Sequence, residues 1–138
     1  MDLCRAPVFS WDNKKMAPCP FCDTGDRERI AENAVAFAIY DGYPVSPGHT
    51  LVIPHRHVAS IFDLEDQEYE GCFRLVRGVQ AKLVEEHGTD AFNVGINTGE
   101  VAGQTVPHAH IHLIPRYPGD VDDPRGGVRH VIPGMGYY

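Results

Sequence analysis

The segment Pro107-His108-Ala109-His110-Ile111-His112-Leu113-Ile114 constrains this chain more than any other. Strict two-residue alternation is the period of a β-strand, which places His108, His110 and His112 on one face. Ala109, Ile111 and Leu113 then fall on the other face and are expected in a core. With a rise of about 3.4 Å per residue, successive imidazoles stand about 7 Å apart. Solvent-facing strands usually carry Thr, Lys or Glu, so a plain polar row explains three histidines poorly. Histidine is also clustered over the whole chain: six of the eight are His49, His55, His57, His108, His110 and His112.

Two chemistries use such a row. The histidines can ligate a catalytic metal ion, as H-x-H pairs do. Alternatively one imidazole is a nucleophile while the others orient it and hold an anion. Imidazole suits attack on phosphorus because its ordinary pKa of about 6.5 leaves it mostly neutral at pH 7. Gly103-Gln104-Thr105 tips the balance towards the second. A glycine lets a phosphate approach the backbone, and Thr105 adds a hydroxyl near main-chain N–H groups. Asn97 and Gly95, on the polar face of the neighbouring strand, add an amide donor and clearance.

The surroundings read as α+β. Val35, Phe37 and Ile39 alternate within Asn33–Asp41, a strand with one buried face, and His49–Ile53 is a second strand stopped by Pro54. Turn residues at Asp41–Pro44 and Ser46–Gly48 let these two pair antiparallel. Asp63–His87 is the long helix, with Tyr69, Cys72, Phe73, Val76, Val79 and Leu83 at helical spacing, Asp63 and Asp66 at its start and Gly88 as its stop. Phe92–Asn97 and Pro107–Pro115 are the third and fourth strands. Strands on both sides of one helix, with short links, predict an antiparallel sheet with one long helix and a short N-terminal knuckle. At 138 residues this is one domain. It divides into an arm and knuckle (1–32), a core (33–116) and a mostly irregular tail (117–138).

The pattern Gly-Gln-Thr-x-x-His-x-His-x-His-Leu-Ile-Pro-Arg resembles the histidine triad (HIT) family of nucleotide hydrolases and transferases. Phe37–His57, with Asp41 and the run Pro47-Gly48-His49-Thr50-Leu51-Val52-Ile53-Pro54, is similar to the family's first two strands. The resemblance implies that His110 attacks the α-phosphorus of a nucleotide, forms a nucleotidyl-histidine, and passes it to water or another acceptor. His112 is then a phosphate contact, and His49 and His108 complete the triad's support. Asn97, Gly103, Gln104 and Thr105 match phosphate and leaving-group positions, and Asp41 matches the ribose-binding position. A purine nucleotide of adenosine type and a two-fold homodimer follow from the same kinship. The alternatives are a nucleotide-binding interaction protein with weak catalysis, and a catalytic-metal hydrolase using the H-x-H-x-H strand.

Cys19-Pro20-Phe21-Cys22 has the spacing of half a zinc site, a reduced core pair being the other reading, while Cys4 and Cys72 stand alone. Zinc-bearing relatives within the resemblance complete such a knuckle with two histidines, and the matching positions are His57 and His108, with His55 as neighbouring competitor to His57. Such a closed site is structural and leaves His110 free. Twelve basic residues against 19 acidic ones, a formal net charge of −7, argue against a nucleic-acid polymer or a membrane surface as partner. The Met1–Arg5 start lacks the pattern of a secretion signal, and a cytoplasmic location is expected. Arg116, Arg125 and Arg129 are candidate contacts for a polyphosphate or a second subunit, or plain solvated arginines.

Overall fold

The computed structural model describes residues 18–138; the proposed arm before Pro18, with Cys4, lies outside the described residues. The strands are β1 (Arg29–Glu32), β2 (Ala36–Tyr40), β3 (Thr50–Pro54), β4 (Ala91–Gly95) and β5 (Ile111–Arg116). They form one antiparallel sheet in the order β1-β2-β3-β5-β4, and the helix α1 (Asp66–His87) packs on one face. The expected α+β architecture is present. No helix among the described residues is long and apolar enough to cross a membrane.

Small and large residues alternate along β2, and both faces are buried, where one buried face was expected. Ala36 and Ala38 face α1 and join Val52, Cys72, Val76, Val79, Leu83, Ile111 and Leu113 in the larger core. Phe37 and Ile39 point the other way and pack with Leu51, Ile53 and Phe21 in a second, smaller core. The small methyls let the helix approach the sheet closely, and the large residues give the opposite face something to bury. Ala109 joins the helix-side core with Ile111 and Leu113, as alternation predicts.

Three boundaries differ from expectation. β1 sits inside the span assigned to the arm and knuckle; it is an edge strand with a register break between Arg29 and Ala31, and its polar ends hide the two-residue period. The helix starts at Asp66 rather than Asp63, capped by Glu65 and Glu68 in a reciprocal box, because Ile61–Asp63 forms its own short 3₁₀ turn. Glu68 also accepts hydrogen bonds from Arg56 Nε and Nη2, which tie that first turn to the loop after β3. The third difference concerns the histidines. β5 begins at Ile111, so only His112 of the three lies in the regular strand. The ladder with β3 ends at the pair Val52↔Ile111, and upstream of it the backbone turns: Ala109 N–H bonds Val58 O at 2.7 Å and His108 N–H bonds Val106 O at 2.8 Å.

Candidate active site

The register puts Ile39, Leu51, His112 and Gly95 side by side across four strands. His112 thus stands on the face away from α1, with glycine clearance on one side. His49 precedes β3 and turns its ring towards His112, with Nε2 to Nδ1 at 2.9 Å. Asp41, just past β2, brings Oδ2 to 3.4 Å from His49 Nε2 and 4.0 Å from His112 Nδ1. Its other oxygen accepts from Tyr43 N–H at 2.8 Å, which fixes the carboxylate.

Backbone partners decide which ring nitrogens carry protons. Val45 N–H donates to His49 Nδ1 at 3.1 Å, so neutral His49 holds its proton on Nε2 and presents it to His112 and Asp41. His112 accepts on Nδ1 and therefore carries its own proton on Nε2. His110 Nδ1 lies 2.8 Å from His108 O, and a carbonyl only accepts. The His110 proton is therefore on Nδ1, and Nε2 keeps a free lone pair. The rings of His110 and His112 meet edge to face at 5.0 Å, closer than the expected 7 Å because the chain turns before β5.

His108 points elsewhere. Its Nε2–H donates to Pro54 O at 2.8 Å, and its Nδ1 lone pair faces Cys19 Sγ at 3.4 Å and Cys22 Sγ at 3.6 Å. His57 Nδ1 lies 3.2 Å from Cys22 Sγ. Ligand atoms of Cys19, Cys22, His57 and His108 all fall within 4.8 Å of one another. His57 Nε2 is buried without a partner among the described residues, so the ring is placed for its Nδ1. His55 stands outside this cluster: it stacks on Phe37 and donates to Asn33 O at 3.1 Å. The row expected on one strand face is therefore split between two clusters, and His108, His110 and His112 do not gather around one point.

Burial favours the uncharged form of His49, His57, His108, His110 and His112. It pushes His108 down to about 4, with His57 and His110 adding to the effect, and His112 down to about 4 with help from His110 and His49. His110, His49 and His57 are lowered by the same cause.

A family model described as the HIT domain matches residues 24–119. The chain belongs to the HIT family. It is 45% identical over 80 residues to a bis(5'-nucleosyl)-tetraphosphatase [asymmetrical] of Schizosaccharomyces pombe, a match covering 58% of this chain and 44% of that protein. The chain thus spans under half the length of that relative. An adenosine 5'-monophosphoramidase of the same yeast is 37% identical over 102 residues, covering 71% of this chain and 74% of the relative. A solved structure described as a Zn-bound histidine triad family protein from Mycobacterium smegmatis superposes with a TM-score of 0.65 at 33% identity, covering 72% of this chain and 73% of that one.

Within this HIT domain the residues expected near a phosphate divide. Gly103 takes a left-handed conformation (φ 95°) that closes the 3₁₀ turn Glu100–Ala102, a backbone that side chains rarely adopt. Gln104, an expected phosphate contact, has protein partners for its whole side-chain amide. It is buried, its amide donates to Ala59 O and Val106 O, and its Oε1 accepts from Gly99 N–H. With both groups committed it braces the loop. Thr105 is exposed at the end of that loop and Asn97 is half-buried after β4. Sequence reasoning missed Val45, whose N–H sets the His49 tautomer, and the Pro54 carbonyl that orients His108. Main-chain groups have no residue-type signature. It also passed over Phe21, which sits edge-on to His110 at 5.0 Å and to His108 at 5.9 Å and helps bury both. An aromatic between two cysteines was the available signal.

Proposed function

We propose that the chain is a HIT enzyme that cleaves a nucleotide conjugate at the α-phosphorus, a dinucleoside polyphosphate or a nucleoside phosphoramidate, with His110 as nucleophile. The observation that carries this is the His110 tautomer: the His108 carbonyl holds Nδ1–H and leaves Nε2 with its lone pair. Nε2 forms a bond to phosphorus while the bond to the leaving oxygen or nitrogen breaks, its electron pair departing with that atom. Water then attacks the nucleotidyl-His110, the P–N bond breaks, and a nucleoside monophosphate is released. His112, with its proton on Nε2, donates to a phosphate oxygen, and the Val45–His49–His112 chain keeps that proton in place. Asp41 receives the ribose hydroxyls of an adenosine-type nucleotide, and Thr105 and Asn97 contact the phosphate. The two yeast relatives, named for a dinucleoside tetraphosphate and a phosphoramidate of adenosine monophosphate, support this substrate range.

Cys19, Cys22, His57 and His108 are proposed to hold a structural zinc. Around a tetrahedral zinc with bonds near 2.3 Å to sulfur and 2.0 Å to nitrogen, each S···N edge is about 3.5 Å. The 3.2, 3.4 and 3.6 Å separations fit that figure. The Pro54 carbonyl on His108 is the outer partner that orients a metal-binding imidazole. When bound, the ion supplies a cross-link between the knuckle and the segment leading into β5. A homodimer is also proposed, through the open edge of β4, where Val94 is exposed. Light scattering of the purified protein tests it: a monomer mass removes the proposal.

Rapid quenching with an adenylated substrate tests the main reading. One AMP on His110, acid-labile and base-stable, is the expected result; turnover with no such adduct overturns it.

A further inference from the structure

The stretch read as an irregular tail opens with a defined turn. Tyr117-Pro118-Gly119-Asp120 has Pro in its second place and Gly in its third, the residues that a type II turn demands. Gly119 stands at φ 79°, and Asp120 N–H bonds Tyr117 O at 3.1 Å. Arg116, a candidate polyphosphate contact, is engaged beside it. Its Nε and Nη2 donate to Asp120 at 2.7 and 2.8 Å, and its Nη1 donates to Asn93 Oδ1 at 2.6 Å. Tyr117 N–H also donates to Asp120, at 3.0 Å. Behind the turn the chain folds back, and Gly126 (φ 86°) lies against the backbone of Gly136. Tyr117 therefore leaves β5 in one fixed direction.

That direction carries its hydroxyl to the loop between β2 and β3, where it donates to Pro47 O at 2.6 Å. From the loop's side, the Ser46 hydroxyl donates to Pro115 O at 2.7 Å. Gly48 (φ 87°) packs close by, where a Cβ would come to 3.2 Å from Pro115 Cγ. Three consecutive loop residues are thus held against the end of β5. Next to them is Val45, whose N–H meets His49 Nδ1 at 3.1 Å and decides the His49 tautomer. Val45 is 71% exposed whereas His49 is 3% exposed, so water takes over that N–H whenever the loop lifts. Pro44 and Pro47 have no N–H of their own with which to hold the loop down. The hold comes from side chains outside the histidine site.

We propose that Tyr117 and Ser46 are positioning residues for His49: their hydroxyls clamp the 44–48 loop onto the end of β5 and so keep Val45 N–H on His49 Nδ1. Their part in turnover rests on the proposed reaction at His110 and His112, whereas the clamp on Val45 does not. Hydrogen exchange of the Val45 amide, followed by NMR on the zinc-loaded protein, reads the clamp directly. Tyr117→Phe and Ser46→Ala each remove one hydroxyl and are expected to speed that exchange about fivefold, the scale of one net hydrogen bond. The double variant exceeds either, while the amides of α1 and of Ile111–Leu113 keep their wild-type rates. In the same samples the ¹⁵N shifts of His49 move from one tautomer, with the proton on Nε2, towards a mixture of two. With adenosine phosphoramidate, kcat falls about threefold in the double variant and KM moves less than about twofold, because His112 loses a fixed proton and Asp41 keeps the ribose. Wild-type Val45 exchange in the double variant overturns the proposal. Exchange that rises equally throughout the sheet also overturns it, since the hydroxyls then hold only the fold. A freed Val45 with unchanged kcat overturns the part in turnover. Failure of the His110 reading shows separately, as turnover without a trapped adduct, and leaves the exchange result standing.

Discussion

The two clusters at either end of the His108–His112 segment use the same side chain for opposite purposes. At the knuckle end, Pro54 O takes the His108 proton on Nε2, and the lone pair that remains points at two sulfurs. At the other end, Val45 N–H fills the His49 lone pair on Nδ1, and the proton that remains points at His112 and Asp41. One end presents lone pairs and is ready for a cation. The other presents protons and is ready for an anion. Asp41, His49 and His112 have the residue types of a two-histidine, one-carboxylate metal site, yet the proton on His49 Nε2 opposes that use. A backbone group on the far side of each ring decides what the near side binds.

The largest effect is expected from His110, which stands between the two clusters. His110→Ala should lower turnover on the order of 10⁴-fold or more, as loss of a nucleophile does, while AMP affinity by calorimetry stays near wild type. Near-normal rates would mean the comparison omits the residue that reacts. Next comes the cation end. Cys19→Ser in the reduced protein should remove the zinc seen by elemental analysis and cost more than about 4 kcal/mol in thermal unfolding. Unchanged metal content and melting would dissolve the distinction between the ends.

The anion end is expected to respond in binding more than in stability. Asp41→Ala should raise KM for adenosine nucleotides about 10- to 100-fold, from the loss of charge-assisted hydrogen bonds, with a smaller change in kcat. Wild-type ribonucleotide affinity would take Asp41 out of the site. The effect on pH dependence is the most gradual, spread over more than two pH units. His112 has a folded pKa near 4, below its unfolded value near 6.5, so between these the unfolded chain binds a proton that the folded chain refuses. Stability is therefore lost as pH falls from about 6.5 towards 4, by about 1.4 kcal/mol per pH unit for this group. His112→Asn should flatten that part of the denaturation profile, and an unaltered slope would show that His112 does not titrate against burial.

Much of this was legible in the chain itself because side-chain periodicity and residue type are local properties. Ala109, Ile111 and Leu113 alternate with three histidines, and the burial of the apolar set follows from a two-residue period. The helical spacing of Cys72, Val76, Val79 and Leu83 predicts the buried stripe of α1. The Cys-x-x-Cys spacing supplies half of one cluster, and the resemblance to the HIT family supplies His57, His108 and Asp41. β1 was hidden because an edge strand with polar ends carries no period.

Tertiary structure alone decided how those residues divide. The sequence determined that His108, His110 and His112 alternate, but a strand needs a partner, and β3 supplies none beyond Val52. Where the ladder stops, the chain turns, His108 swings to the cysteines, and His110 bonds back to the His108 carbonyl. Gln104 shows the same limit, since its residue type gives no sign that its amide joins Gly99, Ala59 and Val106. The tail, read as irregular, closes on itself because Gly126 and Gly136 meet only when the chain folds back. Residue type sets what a side chain is able to do. Which of its atoms is left to do it depends on hydrogen-bond partners far along the chain.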